Sequence, residues 1–193
     1  GAGKTYTTVS WLCDNVLRRH IRVLWLAHSF YLLDQACQEF CSYTPWMPAT
    51  RERVAVRVVS SATLHDPASD IETGDDVVII TTQTASTHLH LKASDRRGRR
   101  VTTPLRAFVD RAADTGLFIV LDEAHHAPAY ACRNLLVGKD EAAPGLRVLV
   151  PSANLLGLTA TPSYTDETRR GWLGKIFEKG VIYEADQAKL TAQ

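Results

Sequence analysis

Short apolar runs of strand length alternate along the chain with amphipathic stretches of helix length. Such alternation is typical of βαβ units, in which parallel strands form a sheet and the connecting helices cover its faces. The runs 77–81 (VVIIT) and 117–121 (LFIVL) are apolar almost throughout, as expected for strands that are buried on both sides. We therefore expect an α/β fold with a mostly parallel sheet and helices on both of its faces.

The individual elements follow from the same periodicity. Strands are predicted at 23–27, 54–59, 77–81, 117–121 and 154–158, and helices at 5–17, 31–40 and 105–113. Gly116 is expected to end the last of these helices, and residues 44–48 are expected to form a loop. The basic stretch 95–100 is interpreted as a solvated surface insertion. The alternative is a phosphate-contacting patch made of Arg96, Arg97, Arg99 and Arg100.

Length and charge narrow the possible functions. The 193 residues are enough for one well-packed domain and too few for two. Lys and Arg number 22 against 21 Asp and Glu, so any contact with nucleic acid must come from a local patch of charge. The chain has no apolar run of about 18 residues and no signal peptide, so we expect a cytoplasmic protein without a membrane partner.

Four cysteines stand at positions 13, 37, 41 and 132, and no two of them form a Cys-x-x-Cys pair. They are interpreted as small buried hydrophobic residues in a reducing compartment, in preference to zinc ligands. Cys37 and Cys41 are four residues apart in a predicted helix, so they are expected on one face of it.

The chain opens on Gly1-Ala2-Gly3-Lys4-Thr5, which matches the last five positions of the phosphate-binding loop G-x-x-x-x-G-K-[ST]. In such a loop glycine lets backbone N–H groups face the phosphates, Lys4 would reach the terminal phosphates, and Thr5 would offer its hydroxyl to Mg²⁺. Because the motif starts in its middle and without a methionine, we expect a fragment of a longer protein. The alternative for so short a segment is a glycine-rich remnant, so the motif needs support from elsewhere.

A second motif, Asp122-Glu123-Ala124-His125, follows directly on the predicted strand 117–121. A carboxylate at the end of a buried parallel strand is well placed to hold Mg²⁺ at the sheet edge where such folds bind ligands. Glu123 would point to the other side and could polarise an attacking water. The alternative is that Asp122 only caps the next helix and that His125 is a surface histidine; the phosphate loop argues against it.

The third motif, 156–162 (LGLTATP), is the end of a predicted strand followed by hydroxyl residues. Thr159 and Thr161 could hydrogen-bond the histidine and the glutamate of the second motif, and so couple nucleotide state to another surface. Taken alone, the segment is an ordinary strand followed by a Thr/Pro turn.

In this order the three segments resemble motifs I, II and III of superfamily 2 helicases, and more specifically the branch that is similar to type I and type III restriction enzymes. Residues 24–36 are similar to motif Ia of that superfamily, and residues 81–84 (TTQT) to its Thr-x-Gln segment. The resemblance implies a RecA-like P-loop NTPase. Residues 1–175 would form the first ATP-binding lobe, and residues 176–193 would lead toward a second lobe.

The resemblance also implies ATP and Mg²⁺ as cofactors and nucleic acid as a partner, which we expect to be DNA rather than RNA. The implied catalytic residues are Lys4, Asp122 and Glu123, with Glu123 as the base and with Thr5 and Asp122 at the metal. The remaining implied roles are cofactor binding by Gly1, Ala2, Gly3, Lys4, Thr5 and Tyr6, coupling by His125, Thr159 and Thr161, and nucleic-acid contact by Ala27, His28, Gln35, Thr82 and Gln83.

Two departures and two alternatives accompany this interpretation. Ser29 stands where motif Ia of this branch often carries arginine, and the second lobe, which supplies the arginine finger, is absent, so the chain alone is expected to hydrolyse ATP weakly. One alternative is a non-catalytic scaffold lobe that binds nucleotide or a partner protein; the intact Lys4, Asp122 and Glu123 argue against it. The other is a P-loop enzyme of another kind, such as a small-molecule kinase, which has no need of the second and third motifs together.

Overall fold

The structure, a computed structural model, describes residues 3–47, 53–91, 93–94, 100–161 and 167–184. The helices are α1 (Lys4–Asn15), α2 (Phe30–Tyr43), α3 (Thr82–His90), α4 (Pro104–Thr115), α5 (Tyr130–Leu136), α6 (Leu146–Leu149) and α7 (Glu167–Ile176). The strands are β1 (Arg22–Ala27), β2 (Val56–Val59), β3 (Val77–Thr81), β4 (Ala93–Ser94), β5 (Arg100–Val101), β6 (Leu117–Leu121), β7 (Gly138–Asp140), β8 (Ala143–Pro144) and β9 (Asn154–Gly157). Turns of 3-10 helix lie at Leu17–Arg19, Thr44–Trp46, Ala68–Asp70 and Ala124–His126.

Five strands form a wholly parallel central sheet in the order β2–β3–β1–β6–β9. In the middle strand, β1, Leu26 lies opposite Ile80 of β3 and Leu121 of β6. Because all five strands run in one direction, their carboxyl ends meet at a single edge of the sheet, the edge at which open α/β folds bind ligands. The predicted α/β class is confirmed. Two short antiparallel hairpins, β4–β5 and β7–β8, lie outside this sheet.

Side chains of the sheet alternate between two hydrophobic cores, one on each face. Val23, Trp25 and Ile79 belong to the core that α1 and α2 cover. Leu24 and Ile80 belong to the core that α3, α4 and α5 cover. All five side chains are fully buried. Because helices cover both faces, β3 and β6 carry the continuous apolar runs from which buried strands were predicted.

The ends of several predicted elements differ from the structure: α2 runs to Tyr43 rather than to residue 40, and α4 runs to Thr115 rather than to residue 113. Within the predicted loop 44–48, Thr44–Trp46 forms a turn of 3-10 helix. Two further differences have a visible cause. β2 begins at Val56 rather than at residue 54, and the N–H of Ala55 is bound instead by the carboxylate of Asp76, at 2.9 Å. Helix α1 ends at Asn15 rather than at residue 17, because the chain tightens into a 3-10 turn that closes at His20 in the left-handed conformation, with φ 59°. Both differences arise from local hydrogen bonding that periodicity does not register.

Gly116 ends α4 as predicted, with φ 103°. A side chain at this position would be strained in that conformation, and a Cβ atom would lie 3.1 Å from Cγ1 of Ile21. Helix α3, in contrast, was not predicted, because its Thr- and His-rich sequence lacks an apolar stripe. It begins where the hydroxyl of Thr81 accepts the N–H of Thr84 at 3.1 Å, which is an N-cap.

Part of the basic stretch is outside the described residues. Arg96, Arg97 and Arg99 lie there, while the backbone of Arg100 belongs to β5. The interpretation of this stretch as a solvated insertion therefore remains a prediction. Elsewhere in the described ranges, no helix combines the length and the apolarity that crossing a bilayer requires.

The cysteines are only partly the buried residues that were expected. Cys13 and Cys132 are buried, and burial raises the pKa of each thiol to about 12. Cys41, however, is exposed, because it lies on the solvent side of α2. The predicted common face of Cys37 and Cys41 is confirmed by a separation of 4.0 Å between their Sγ atoms.

Candidate functional site

The carboxyl edge of the sheet brings together residues that are far apart in sequence. His28 follows β1, Thr82 follows β3, and Asp122 follows β6. The N–H of Asp122 donates to the carbonyl of Leu26 at 2.8 Å, which continues the pairing of β6 with β1 up to the edge. The second motif and the motif Ia segment are therefore held side by side by backbone hydrogen bonds.

The described part of the phosphate loop lies at the amino terminus of α1. Gly3 precedes the helix in the left-handed conformation, with φ 68°, and its carbonyl accepts the N–H of Thr7 at 2.9 Å. Lys4 is half-buried in the first turn, and Thr5 is buried. Gly1 and Ala2, also predicted in this loop, lie outside the described residues. An amino-terminal helix end carries free N–H groups and a partial positive charge, which favours an anion at this position.

Asp122 is a buried carboxylate close to this loop, with 4% of its surface exposed. Burial raises the pKa of Asp122, and the charge of Glu123 adds to this effect. The hydrogen bond from the N–H of Glu123 (2.9 Å to Oδ1) and the positive charge of Lys4 act in the opposite direction. The charge of Lys4 therefore acts on Asp122, so the first and second motifs share one electrostatic environment.

Glu123 has an unusual backbone conformation. Its φ of 49° and ψ of 56° lie in the left-handed region, where a residue with a Cβ is disfavoured by roughly 1–2 kcal/mol. The turn is held in place by the N–H of Ala124, which donates to the carbonyl of Leu158 at 2.7 Å. Such strain is concentrated at functional positions, where the surrounding structure maintains it. In this turn the Glu123 carboxylate reaches Nδ1 of His125, with Oε2 at 3.2 Å.

A hydrogen-bonded cluster joins the second and third motifs. Nδ1 of His125 lies 3.2 Å from Oε2 of Glu123 and 3.1 Å from Oγ1 of Thr159. The Thr159 hydroxyl donates to the carbonyl of Thr161 at 3.2 Å and accepts the N–H of the same residue at 3.0 Å. Thr159 is therefore held by His125 on one side and by the backbone of Thr161 on the other, and Glu123 lies within ion-pair distance of the same imidazole nitrogen.

The residues present fit a magnesium–nucleotide complex. Asp122 offers a buried carboxylate, whose Oδ1 accepts the N–H of Glu123. Thr5 offers a hydroxyl at the amino-terminal end of α1, next to Lys4. One carboxylate and one hydroxyl are a typical protein contribution to Mg²⁺, whose remaining ligands are phosphate oxygens and water. Oxygen donors of this kind, rather than thiolate or imidazole donors, are suited to that ion.

The residues predicted to contact nucleic acid differ in how far they are exposed to solvent. His28 and Gln83 are exposed, and Gln35 and Thr82 are half-buried. Ala27 is fully buried in the core beneath α1 and α2 and has no exposed surface, so it can only support the contact from below.

Tyr6 is 53% exposed in the first turn of α1, and its ring lies 6.3 Å from that of Tyr43 in an edge-to-face arrangement. The structure therefore leaves Tyr6 accessible beside the helix end at which phosphate binding is expected. Its neighbour Tyr43 is anchored by a hydrogen bond to Asp14 at 3.0 Å.

His126 is a residue for which the sequence offered no role. Its ring lies 4.2 Å from that of His28 and 4.2 Å from that of His125, measured between ring centroids. The only signal in the sequence is the repetition of histidine after the second motif. The contact with His28 depends on the pairing of β1 with β6, which the local sequence does not indicate.

A second constellation of polar residues lies beyond β2. Oγ of Ser60 is 2.6 Å from Nδ1 of His65, and Nε2 of His65 is 2.8 Å from Oδ1 of Asp34. These are the residue types of a nucleophilic triad. Ser60 is buried, however, and its Oγ accepts the N–H of Ala62 at 3.0 Å, so the hydroxyl is not presented to a substrate. The cluster stabilises the loop that follows β2.

Together, the parallel sheet, the phosphate-loop helix and the acidic motif at the carboxyl edge define a RecA-like nucleotide-binding domain of the helicase superfamily. The family described as "Type III restriction enzyme, res subunit" matches residues 1–164, and the chain belongs to that family. No curated protein matches the chain. Membership implies a helicase-like ATPase motor domain, in a family that generally uses ATP and Mg²⁺, binds nucleic acid and has a further domain.

Proposed function

We propose that the full-length protein is an ATP-dependent helicase or translocase that acts on DNA and couples ATP hydrolysis to strand movement. The observation that carries the proposal is the bridge from Glu123 through His125 to Thr159, with distances of 3.2 Å and 3.1 Å at Nδ1. A site that only bound nucleotide would not need its acidic residue tied to a second strand. DNA is preferred over RNA because the family description names a restriction enzyme.

Each residue of the site would have a distinct role in ATP hydrolysis. Lys4 and the N–H groups at the start of α1 would hold the terminal phosphates, and the first-loop residues Gly1, Ala2 and Gly3 would surround them. Thr5 and Asp122 would hold Mg²⁺, which would neutralise charge on the phosphates when bound. Glu123 would accept the proton of the attacking water at a carboxylate oxygen. Tyr6 would lie at the rim of this pocket.

The nucleic-acid contact would lie at the same edge, beyond the nucleotide. His28, Gln35, Thr82 and Gln83 would face the sugar-phosphate backbone with their side chains, and the buried Ala27 would support His28 from within the sheet. Thr159 and Thr161 would respond to the state of Glu123 through His125. Closing of a second lobe onto this edge would complete the site, because helicase-type motors bind ATP between two lobes.

Residues 1–175 would form the first lobe, and residues 176–193 would lead toward the second. The start of this connection is firmly held. Ile176 is buried, and Arg147 donates to the carbonyl of Lys175 at 3.0 Å and to the carboxylate of Glu178 at 2.7 Å. A connection anchored in this way would transmit movement of the second lobe to the first.

The decisive experiment measures ATP hydrolysis by the full-length protein with single-stranded DNA, double-stranded DNA and RNA. We expect strong stimulation by DNA, and loss of at least about 100-fold in turnover for Glu123→Gln. Lys4→Ala should weaken ATP binding as well as turnover. Glu141→Gln, which removes an exposed carboxylate of the β7–β8 turn, is the matched control and should retain full activity.

One rival function makes a different prediction. A scaffold lobe would bind ATP tightly without turnover on any polymer, and Glu123→Gln would leave that binding unchanged. Full DNA-stimulated turnover in Lys4→Ala would refute the motor proposal directly.

A further inference from the structure

Three histidines form a continuous row of rings at the carboxyl edge of the sheet. The centroids of His28 and His126 are 4.2 Å apart with an interplanar angle of 50°, and those of His126 and His125 are 4.2 Å apart with an angle of 42°. One end of the row is bound to Glu123 and Thr159 through Nδ1 of His125. The other end is His28, the exposed residue that follows β1.

The backbone beneath the row is fixed. The N–H of Asp122 donates to the carbonyl of Leu26 at 2.8 Å, and the N–H of His126 donates to the carbonyl of Glu123 at 2.9 Å. Ala124 and Ala127, on either side of the two histidines, are buried. The backbone is therefore anchored on both sides of the two histidines, and the row is formed by their side chains.

Core packing does not account for His126, because this residue is exposed. A metal site does not account for it either, since the described ranges contain no group of three His, Cys, Asp or Glu residues suited to hold a cation. Partial burial lowers the pKa of His126, and the neighbouring His28 lowers it further, while Glu123 acts in the opposite direction.

We propose that His126 is a positioning residue that transmits the binding of nucleic acid at His28 to the carboxylate of Glu123, by way of His125. This inference rests on the proposed function, because it requires both a nucleic-acid strand at His28 and hydrolysis at Glu123. It goes beyond that function by assigning a residue and a path to the coupling between the two sites.

The physical basis is contact. Rings in contact restrict one another, so displacement of His28 by a bound strand would shift His126 and, through it, His125. Nδ1 of His125 lies 3.2 Å from Oε2 of Glu123, so a shift of the imidazole would change how readily that oxygen accepts the proton of the attacking water. Removing the middle ring would leave the two ends intact but disconnect them.

The test uses the full-length protein with saturating ATP and saturating single-stranded DNA, so that weakened binding cannot be mistaken for weakened coupling. The quantity measured is the ratio of DNA-stimulated to unstimulated turnover. We expect His126→Ala to lower this ratio at least about fivefold, the lower bound of typical coupling between sites. His126→Phe, which keeps a ring between His28 and His125, should retain most of the stimulation.

A matched control and a double-mutant cycle complete the experiment. His20→Asn replaces an exposed histidine in the left-handed conformation, which asparagine tolerates, and should leave the ratio unchanged. If the path runs from His28 through His126, the variant His28→Ala/His126→Ala should be no worse than the more impaired single variant.

The inference is overturned by full stimulation in His126→Ala, by His126→Phe being as impaired as His126→Ala, or by independent effects of the two alanine substitutions that multiply. A different result would show failure of the proposed function itself. In that case the unaltered protein would show no turnover, or no stimulation by any polymer, and the coupling path would be refuted with it.

Discussion

Nδ1 of His125 lies 3.1 Å from Oγ1 of Thr159, its hydrogen-bond partner, and 3.2 Å from Oε2 of Glu123, so one imidazole nitrogen contacts both the segment after β9 and the segment after β6. The threonine oxygen is fixed in turn by the backbone of Thr161. A movement of β9 relative to β6 would alter these two distances. The contact between the Glu123 carboxylate and the His125 imidazole would then become stronger or weaker.

Thr159→Val tests this relationship by removing the hydroxyl while keeping the side-chain volume. We expect DNA-stimulated turnover of the full-length protein to fall about fivefold, the effect of losing one net hydrogen bond. ATP binding should change little, because Thr159 does not lie on the phosphate loop. Thr159→Ser keeps the hydroxyl and is the control. Equal activity of the valine and serine variants would mean that the hydrogen bond has no part in turnover.

The stability of the chain should depend on the protonation of His125 and His126. Burial lowers the pKa of both imidazoles below the ordinary value, and each is lowered further by a histidine neighbour. The unfolded chain therefore binds more protons than the folded chain as the pH falls through this range. It follows that the free energy of unfolding decreases from pH 7 downward, until the pH is below the lowered pKa values.

Urea unfolding between pH 7.5 and pH 5 would measure this dependence. The variant His125→Asn/His126→Asn removes both groups and should flatten the curve over this interval. His88→Asn, which removes a histidine of α3 on another part of the surface, should leave its slope nearly unchanged. The raised pKa of Asp122 has the opposite effect on stability. Because this carboxyl binds a proton more readily in the folded chain, the free energy of unfolding decreases as the pH rises through its pKa.

Much of the fold could be predicted from the sequence because its strands are easily recognised as apolar runs. β3 and β6 contribute side chains to the cores on both faces of the sheet and are apolar apart from Thr81, so period and composition agree. Asp122 and Glu123 could be placed at the end of a strand for the same reason. The strand order could not be predicted in this way, because it depends on how the helices pack and the local sequence does not describe that packing. The observed order is β2–β3–β1–β6–β9.

Most of the relationships that the sequence did not disclose are contacts between distant elements, and one is a local helix cap. The ring of His126 meets that of His28 only because β6 lies next to β1. The burial of Ala27 similarly follows from two helices that cover its face. Helix α3 was missed because its initiation depends on the hydroxyl of Thr81 rather than on an apolar stripe.

The left-handed backbone conformation of Glu123 should lower the free energy of unfolding while it positions the carboxylate. Glycine adopts φ 49° without strain, so Glu123→Gly should raise the free energy of unfolding by about 1 kcal/mol while abolishing ATP turnover. Glu123→Gln should abolish turnover without this gain, since it keeps the Cβ atom. Urea unfolding of the two variants and the unaltered protein would measure the difference. A glycine variant no more stable than the glutamine variant would show that the turn is unstrained.

The last prediction concerns the support of the sheet at β2 and β3. Asp75 is buried, and its carboxylate accepts Nε of Arg57 at 2.6 Å and Nη2 at 3.2 Å, as well as the N–H of Glu72 at 2.8 Å. Asp75→Asn replaces one acceptor oxygen by a donor that faces a guanidinium, so we expect a loss of about 2 kcal/mol in the free energy of unfolding.

Asp110→Asn provides the comparison, because Asp110 forms an ion pair with Arg106 at 2.7 Å in which both side chains are substantially exposed, at 50% and 33%. Exposed pairs of this kind contribute little, so the loss should be below about 0.5 kcal/mol. Chemical denaturation of the two variants under identical conditions gives the comparison directly. If both substitutions cost the same, the burial of Asp75 would not be what makes its ion pair matter, and the link between β2 and the loop before β3 would have to come from backbone pairing alone.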